Sequence, residues 1–200
     1  AYSAGLLAAS TALRIHDAAS AARHLELVPA ELRGWEWSYL RGITDRSQWT
    51  YGPMAMKTEA LAVSGDGRFV ALAAPDHAVV LLDAATGEER ARLEGHTAQV
   101  FQLAFSPDGR RLFSGAVDGS LRAWDIESAA LLGVLEGHTD RIDALAIGRD
   151  GNALVSAGWD GRVCAWDITT LERRLELDPA GVPMHLVAVD HGLTRIAAAG

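Results

Sequence analysis

Residues Gly95 to Asp125 read GHTAQVFQLAFSPDGRRLFSGAVDGSLRAWD, and residues Gly137 to Asp167 read GHTDRIDALAIGRDGNALVSAGWDGRVCAWD. The two stretches align without a gap at an offset of 42 residues, His96 onto His138. Gly-His-Thr opens each unit, Ser114 falls on Ser156, Asp118-Gly119 on Asp160-Gly161, and Trp124-Asp125 on Trp166-Asp167. The same offset applied backwards puts Ser64-Gly65-Asp66-Gly67 on Ser106-Pro107-Asp108-Gly109 and Asp83 on Asp125, a weaker copy. Applied forwards it puts Val187-Ala188-Val189 in register with the strand that begins a unit, so a further copy starts there. A fixed period of this length is the mark of a repeat architecture.

Within one unit the chemistry is that of short strands and tight turns. Val100 to Phe105, Leu112 to Ala116, Leu121 to Trp124 and Leu131 to Leu135 are apolar runs separated by turn residues, and each is expected to be a strand. Asp118-Gly119 and Asp160-Gly161 are hairpin signals, because a two-residue turn of this kind needs the positive φ that glycine adopts without steric cost. Four antiparallel strands per repeat, with Gly-His early and Trp-Asp late, describe one blade of a β-propeller.

On these motifs the stretch from Gln48 to Gly200 resembles the WD-repeat family. The resemblance implies a mainly β fold, a WD40-type β-propeller that is incomplete at about three and a half blades, preceded by a short α-helical segment. The blades are expected at about 50–92, 93–134 and 135–176, with a partial one over 177–200. Further blades in a longer chain, or a homodimer, would complete the ring, because an open propeller leaves unpaired strand edges. The resemblance further implies a hydrogen-bonded tetrad in each blade: His96, Ser114, Asp118 and Trp124 in one, His138, Ser156, Asp160 and Trp166 in the next. The preceding copy has Met54, Leu72, Asp76 and Leu82 at these positions, so only the turn carboxylate is kept, and it is expected to turn to water or backbone donors.

The same resemblance implies a role in binding other proteins or peptides, through loops that the blades hold on one rigid face. The residue before each turn Asp is expected on that face: Pro75, Val117 and Trp159. Trp159 is the leading candidate, since an exposed Trp on a rigid surface is a frequent binding hot spot. Arg141 and Gln99, where the innermost strands begin, are the secondary candidates.

Residues 1–44 differ in character, being rich in Ala with apolar residues at helical spacing. Helices are expected around Leu6 to Ile15, from Asp17 to Leu27, and from Pro29 towards Leu40, the first two resembling a degenerate tetratricopeptide hairpin. Leu32 to Leu40 resembles the linker that precedes WD repeats in some large bacterial serine/threonine kinases, notably of planctomycete type. A regulatory or substrate-recruiting module of such a kinase, with the catalytic domain outside this chain, is therefore the alternative reading. Trp35, Trp37 and Tyr39 are expected to pack the junction between the segments.

Charge and composition narrow the function classes. A formal charge of -8 argues against nucleic acid, because phosphate backbones are held mainly by Lys and Arg. No apolar run is long enough to span a membrane, and no direct membrane contact is expected of this segment. The compartment is open between the cytoplasm and the outer part of a membrane-anchored protein. Cys164, the one cysteine, is expected as a small buried residue on a strand. Ser, His and Asp recur together in each unit, yet a repeated buried set exposes no nucleophile to a substrate. There is no Gly-rich phosphate loop, and neither a His-Arg-Asp nor an Asp-Phe-Gly motif, so no catalytic residue, metal ligand or cofactor is expected. His16, His24, His77, His185 and His191 are expected as surface or loop side chains, and Glu88, Glu89, Glu94, Glu127 and Glu136 as a solvated rim.

Overall fold

The computed structural model describes residues 8, 23–30, 33, 40, 58–177, 181–190 and 195–200. The chain divides into two compact units, Ala1–Thr50 and Tyr51–Gly200. In the first, residues 23–26 form a helical turn with Leu25 and Val28 buried, and the Arg33 Nε donates to the Val28 carbonyl at 3.0 Å. The expected first helix apart from Ala8, the start of the second at Asp17, and the aromatic set Trp35, Trp37 and Tyr39 lie outside the described residues.

The second unit is built of antiparallel sheets whose strands follow chain order. β1 (Leu61–Val63), β2 (Phe69–Ala73), β3 (Val79–Asp83) and β4 (Glu89–Leu93) form the first sheet. β5 (Val100–Phe105), β6 (Arg111–Ala116), β7 (Leu121–Asp125) and β8 (Leu131–Leu135) form the second. β9 (Ile142–Ile147), β10 (Ala153–Gly158), β11 (Val163–Asp167) and β12 (Arg173–Leu177) form the third. A two-stranded sheet follows, β13 (Leu186–Val189) with β14 (Ile196–Ala199). This is the mainly β, incomplete propeller that the repeat implies, and the second sheet's strands match the expected runs to within a residue at their ends.

The alternation of side chains along each strand explains why the sheets stack. In β6 and β7 the buried Leu112 and Trp124 join the first sheet's Phe69, Ala71, Val79 and Leu81 in one apolar cluster. Their neighbours Phe113, Leu121 and Ala123 point the other way and meet Ile142, Leu154, Cys164 and Trp166 of the third sheet. The third sheet repeats the arrangement, with Val155, Ala157 and Ala165 against Met184, Val187 and Ile196. The second and third sheets thus each bury two apolar faces, and every large side chain so covered contributes about 1.5–3 kcal/mol over leaving it in water. The fourth strand of each sheet is the wet one: β12 is exposed throughout, while the third strands β3, β7 and β11 are almost wholly buried.

The turns carry the expected backbone. Gly119 and Gly161 both have φ of +76°, and the first sheet's equivalent, His77, keeps the left-handed geometry at +72° without being a glycine. Histidine tolerates that region better than most side chains, so the hairpin survives the change in sequence.

Candidate functional site

Two sets of polar side chains stand at the end of the sheets where the β6–β7 and β10–β11 turns lie. The first is internal. In the third sheet the Trp166 indole donates to Ser156 Oγ at 2.9 Å, and Ser156 Oγ is 2.8 Å from His138 Nε2. His138 Nδ1 lies 3.0 Å from Asp160 Oδ2, which also accepts the Thr139 backbone N–H at 2.9 Å. Protons can be assigned consistently along the chain: the indole and the ring Nδ1–H donate, the hydroxyl accepts one and gives one, and the carboxylate accepts. Burial raises the Asp160 carboxyl, but the Thr139 and Arg162 backbone N–H groups and the His138 ring outweigh it and hold it below the ordinary Asp value.

The second sheet differs at one joint. Trp124 Nε1 donates to Ser114 Oγ at 2.8 Å and Ser114 Oγ lies 2.6 Å from His96 Nε2, but His96 Nδ1 meets Ser120 Oγ at 2.8 Å rather than Asp118. Asp118 takes the Thr97 hydroxyl at 2.6 Å and the Ser120 backbone N–H at 2.9 Å. The expected His96 to Asp118 contact is therefore corrected to a serine-bridged one. The cause is local: the third sheet has Arg162 where the second has Ser120, and that guanidinium donates to the Gly137 carbonyl at 2.7 Å, leaving the ring to Asp160. Burial, then the Arg122 charge nearby, lowers the His96 pKa to about 4, so the ring is neutral at physiological pH. Burial pushes the Asp118 carboxyl upward, yet hydrogen bonds from Ser120 and Thr97 prevail and hold it at about 2.

In the first sheet Asp76 does find a backbone donor, Ala78 N–H at 3.4 Å, but its main partner is the Arg92 guanidinium, a side chain the sequence reading did not pair with it. Leu72 and Leu82 are buried in place of the Ser and Trp. Replacing a whole polar set by apolar groups leaves no donor stranded, which is why such a swap is tolerated. Met54 lies outside the described residues.

The second set is on the surface. Trp159 is 45% exposed and Val117 38%, each at the tip of its turn, and Pro75 is exposed on the β2–β3 turn. The backbone N–H of Trp159 donates to the Arg141 carbonyl, and that of Val117 to the Gln99 carbonyl, both at 2.9 Å. Those paired bonds bring each turn tip beside the start of its sheet's first strand. Among the described residues, Pro75, Val117 and Gln99 make no side-chain hydrogen bond or ring contact, whereas Trp159 and Arg141 belong to a cluster.

The centre of that cluster is Asp143, which the sequence reading did not single out. Its Oδ2 accepts the Trp159 indole N–H at 2.6 Å and the His185 ring at 2.8 Å, and its Oδ1 accepts Arg141 Nε. Its side chain is only 9% exposed. Partial burial raises the Asp143 carboxyl, but the donors His185, Trp159 and Arg141 overcome this and keep it below the ordinary Asp value. The Arg141 guanidinium carbon stands 3.8 Å from the centroid of the Phe101 ring and 5.2 Å from that of Trp159, and Trp159 meets His185 edge to face at 5.8 Å. The Gln102 amide donates to the Asp143 carbonyl at 2.6 Å and ties the second sheet to the third at the same place. His185, expected as a surface side chain, is exposed, and also has these partners. The one signal that could have found Phe101, Asp143 and His185 is their shared register, each one repeat from the next.

Among the described residues no group of three or more His, Cys, Asp or Glu side chains is arranged to hold a metal ion. No helix among them is long and apolar enough to cross a membrane. Residues 87–125 and 129–167 each match the family model described as WD domain, G-beta repeat. No curated protein matches the chain significantly. The matched stretches run from β4 to β7 and from β8 to β11, and each contains one of the two sets in which the Trp, Ser and His are all present.

Proposed function

We propose that the WD repeats and the sheets flanking them form a protein-binding module, and that the partner is engaged on the face that carries Trp159. WD repeats generally mediate protein–protein interaction, which is the coarse ground for this reading. The observation that carries the finer part is the exposure of a large indole, 45% accessible, whose ring is nevertheless held by a hydrogen bond to Asp143 and an edge contact to His185. An aromatic side chain fixed in place before binding loses little entropy on contact, and Trp and Arg are enriched among residues that dominate interface energies. Arg141 is proposed as the second contact and Val117 as the neighbour that extends the apolar surface; Pro75 and Gln99 are proposed as rim positions.

Affinity capture tests this. Partners retained by the wild-type chain and lost by Trp159→Ala support the face, while equal retention of every captured partner by both baits removes it. A narrower proposal is that the module serves a larger bacterial serine/threonine kinase. The likeness of Leu32 to Leu40 to a kinase-associated linker supports it, and the coding sequence upstream of Ala1 decides it.

A further inference from the structure

Successive repeats deliver the same register position to one place, but with different chemistry each time. Phe101, Asp143 and His185 occupy one such position, and Gln99 and Arg141 another. The result is an aromatic ring, a carboxylate and an imidazole grouped around the Arg141 guanidinium and the Trp159 indole.

Arg141 is held so that one edge stays open. Its Nε is bonded to Asp143, and the guanidinium lies over the Phe101 ring. Among the described residues neither Nη of Arg141 has an acceptor, and neither is buried, the side chain being 30% exposed. Asp143, by contrast, is fully engaged by Arg141, Trp159 and His185. A guanidinium pinned through Nε and stacked on a ring has already lost its rotamer freedom, and its two terminal nitrogens form a planar fork that matches the two oxygens of a carboxylate.

We propose that Arg141 recognises a single Asp or Glu side chain in a partner peptide segment, while an apolar residue beside that acid rests on Trp159. This rests on the reading of the face as a partner-binding surface. The surroundings favour one acid over a run of acids. Asp118 and Asp140 are exposed nearby, with the Asp140 backbone packed against Gly119, and the whole chain carries a formal charge of -8. An extended acidic stretch is repelled by that field, whereas a lone carboxylate aligned with the Arg141 fork is not.

The test is to pan a displayed library of random dodecapeptides against the 200-residue chain and to measure the enriched peptides by fluorescence anisotropy. Wild type, Trp159→Ala, Arg141→Gln and Arg141→Lys are compared. The expected peptides bind in a Trp159-dependent way and share an Asp or Glu next to an apolar residue. Changing that acid to its amide weakens binding to wild type by about tenfold or more, because a charge-assisted two-pronged bond is lost. The same change costs less than about twofold against Arg141→Gln, and Arg141→Lys restores only part of the coupling, since an ammonium keeps the charge but not the fork. Two results overturn the proposal alone: Trp159-dependent peptides that bind equally well as amides, or an acid-to-amide loss just as large in Arg141→Gln. A library yielding no Trp159-dependent peptide overturns the partner-binding face and this proposal together. Because the acid-to-amide change is made in the peptide, it reads the interaction even where a protein variant is destabilised.

Discussion

Trp166 and Ser156 are diagonal neighbours on one face of the β10–β11 pair: Ser156 lies opposite Cys164, Trp166 lies opposite Leu154, and the indole Nε1 reaches Ser156 Oγ at 2.9 Å. The hydroxyl is fully buried and also serves His138 Nε2 at 2.8 Å. Ser156→Ala therefore strands a buried donor and a buried acceptor at once. The expected loss is roughly 1–3 kcal/mol for each stranded group, read as a lower urea midpoint with an unchanged slope. Ser114→Ala, with the same two neighbours in Trp124 and His96, should behave alike. Wild-type stability in both variants would show that these hydroxyls are not needed by the fold.

Acid should weaken the fold in two stages. His96 has a folded pKa of about 4 against an ordinary 6.5, so between these values the unfolded chain binds a proton that the folded chain refuses. Stability falls as pH drops through that window, by up to about 3 kcal/mol. Asp118 acts lower down: with a folded value of about 2 against 3.8, its contribution is present above 3.8 and is lost as pH falls towards 2. Urea titrations at a series of pH values check this, and His96→Gln should flatten the limb between pH 6.5 and 4 while sparing the lower one.

The junction between the second and third sheets is tight at Gly115. A Cβ placed there would come within 2.8 Å of Ile142 Cγ2, whereas the equivalent of Gly115 one repeat later is Ala157, whose junction carries the flexible Met184 in place of Ile142. Gly115→Ala should cost about 1–3 kcal/mol through overpacking. Combined with Ile142→Ala, it should cost less than the sum of the single changes, a coupling that a double-mutant cycle on thermal or urea unfolding measures.

Cys164 is a probe of the same junction. It is fully buried, and burial, reinforced by the nearby Glu176 charge, pushes its thiol up to about 11. Alkylation by iodoacetamide at neutral to mildly basic pH should run on the order of a hundredfold or more slower than for a free thiol, since the thiolate is the nucleophile. Labelling should become complete once the chain is unfolded. Rapid native labelling would show that the second and third sheets separate readily.

Much of the fold was legible because its signals are short-range and recur. The Asp118-Gly119 and Asp160-Gly161 pairs demand left-handed turns wherever they occur, and the apolar runs between them are too short for anything but strands. Once one unit reads as four strands, an ungapped offset carries the reading to its neighbours. Ser120 and Arg162 mark where this stops. They stand at the same position of their repeats, yet one hydroxyl bonds the histidine ring and the other side chain reaches the Gly137 carbonyl, so two tetrads that look identical by spacing are wired differently. The register shows which residues can meet, but the length and donor pattern of one variable side chain decides which do.

The sequence alone determined the number of strands per unit, their order and the stacking of one apolar face upon the next, because backbone turn chemistry and side-chain alternation act over a few residues. Only the tertiary structure brought Phe101, Asp143 and His185 around Arg141 and Trp159. The Phe101 and His185 contacts run between successive repeats, and the whole cluster depends on directions in space that no local pattern encodes. A carboxylate flanked in sequence by Ile142 and Ala144 holds Trp159 and Arg141 of its own repeat and takes His185 from the next.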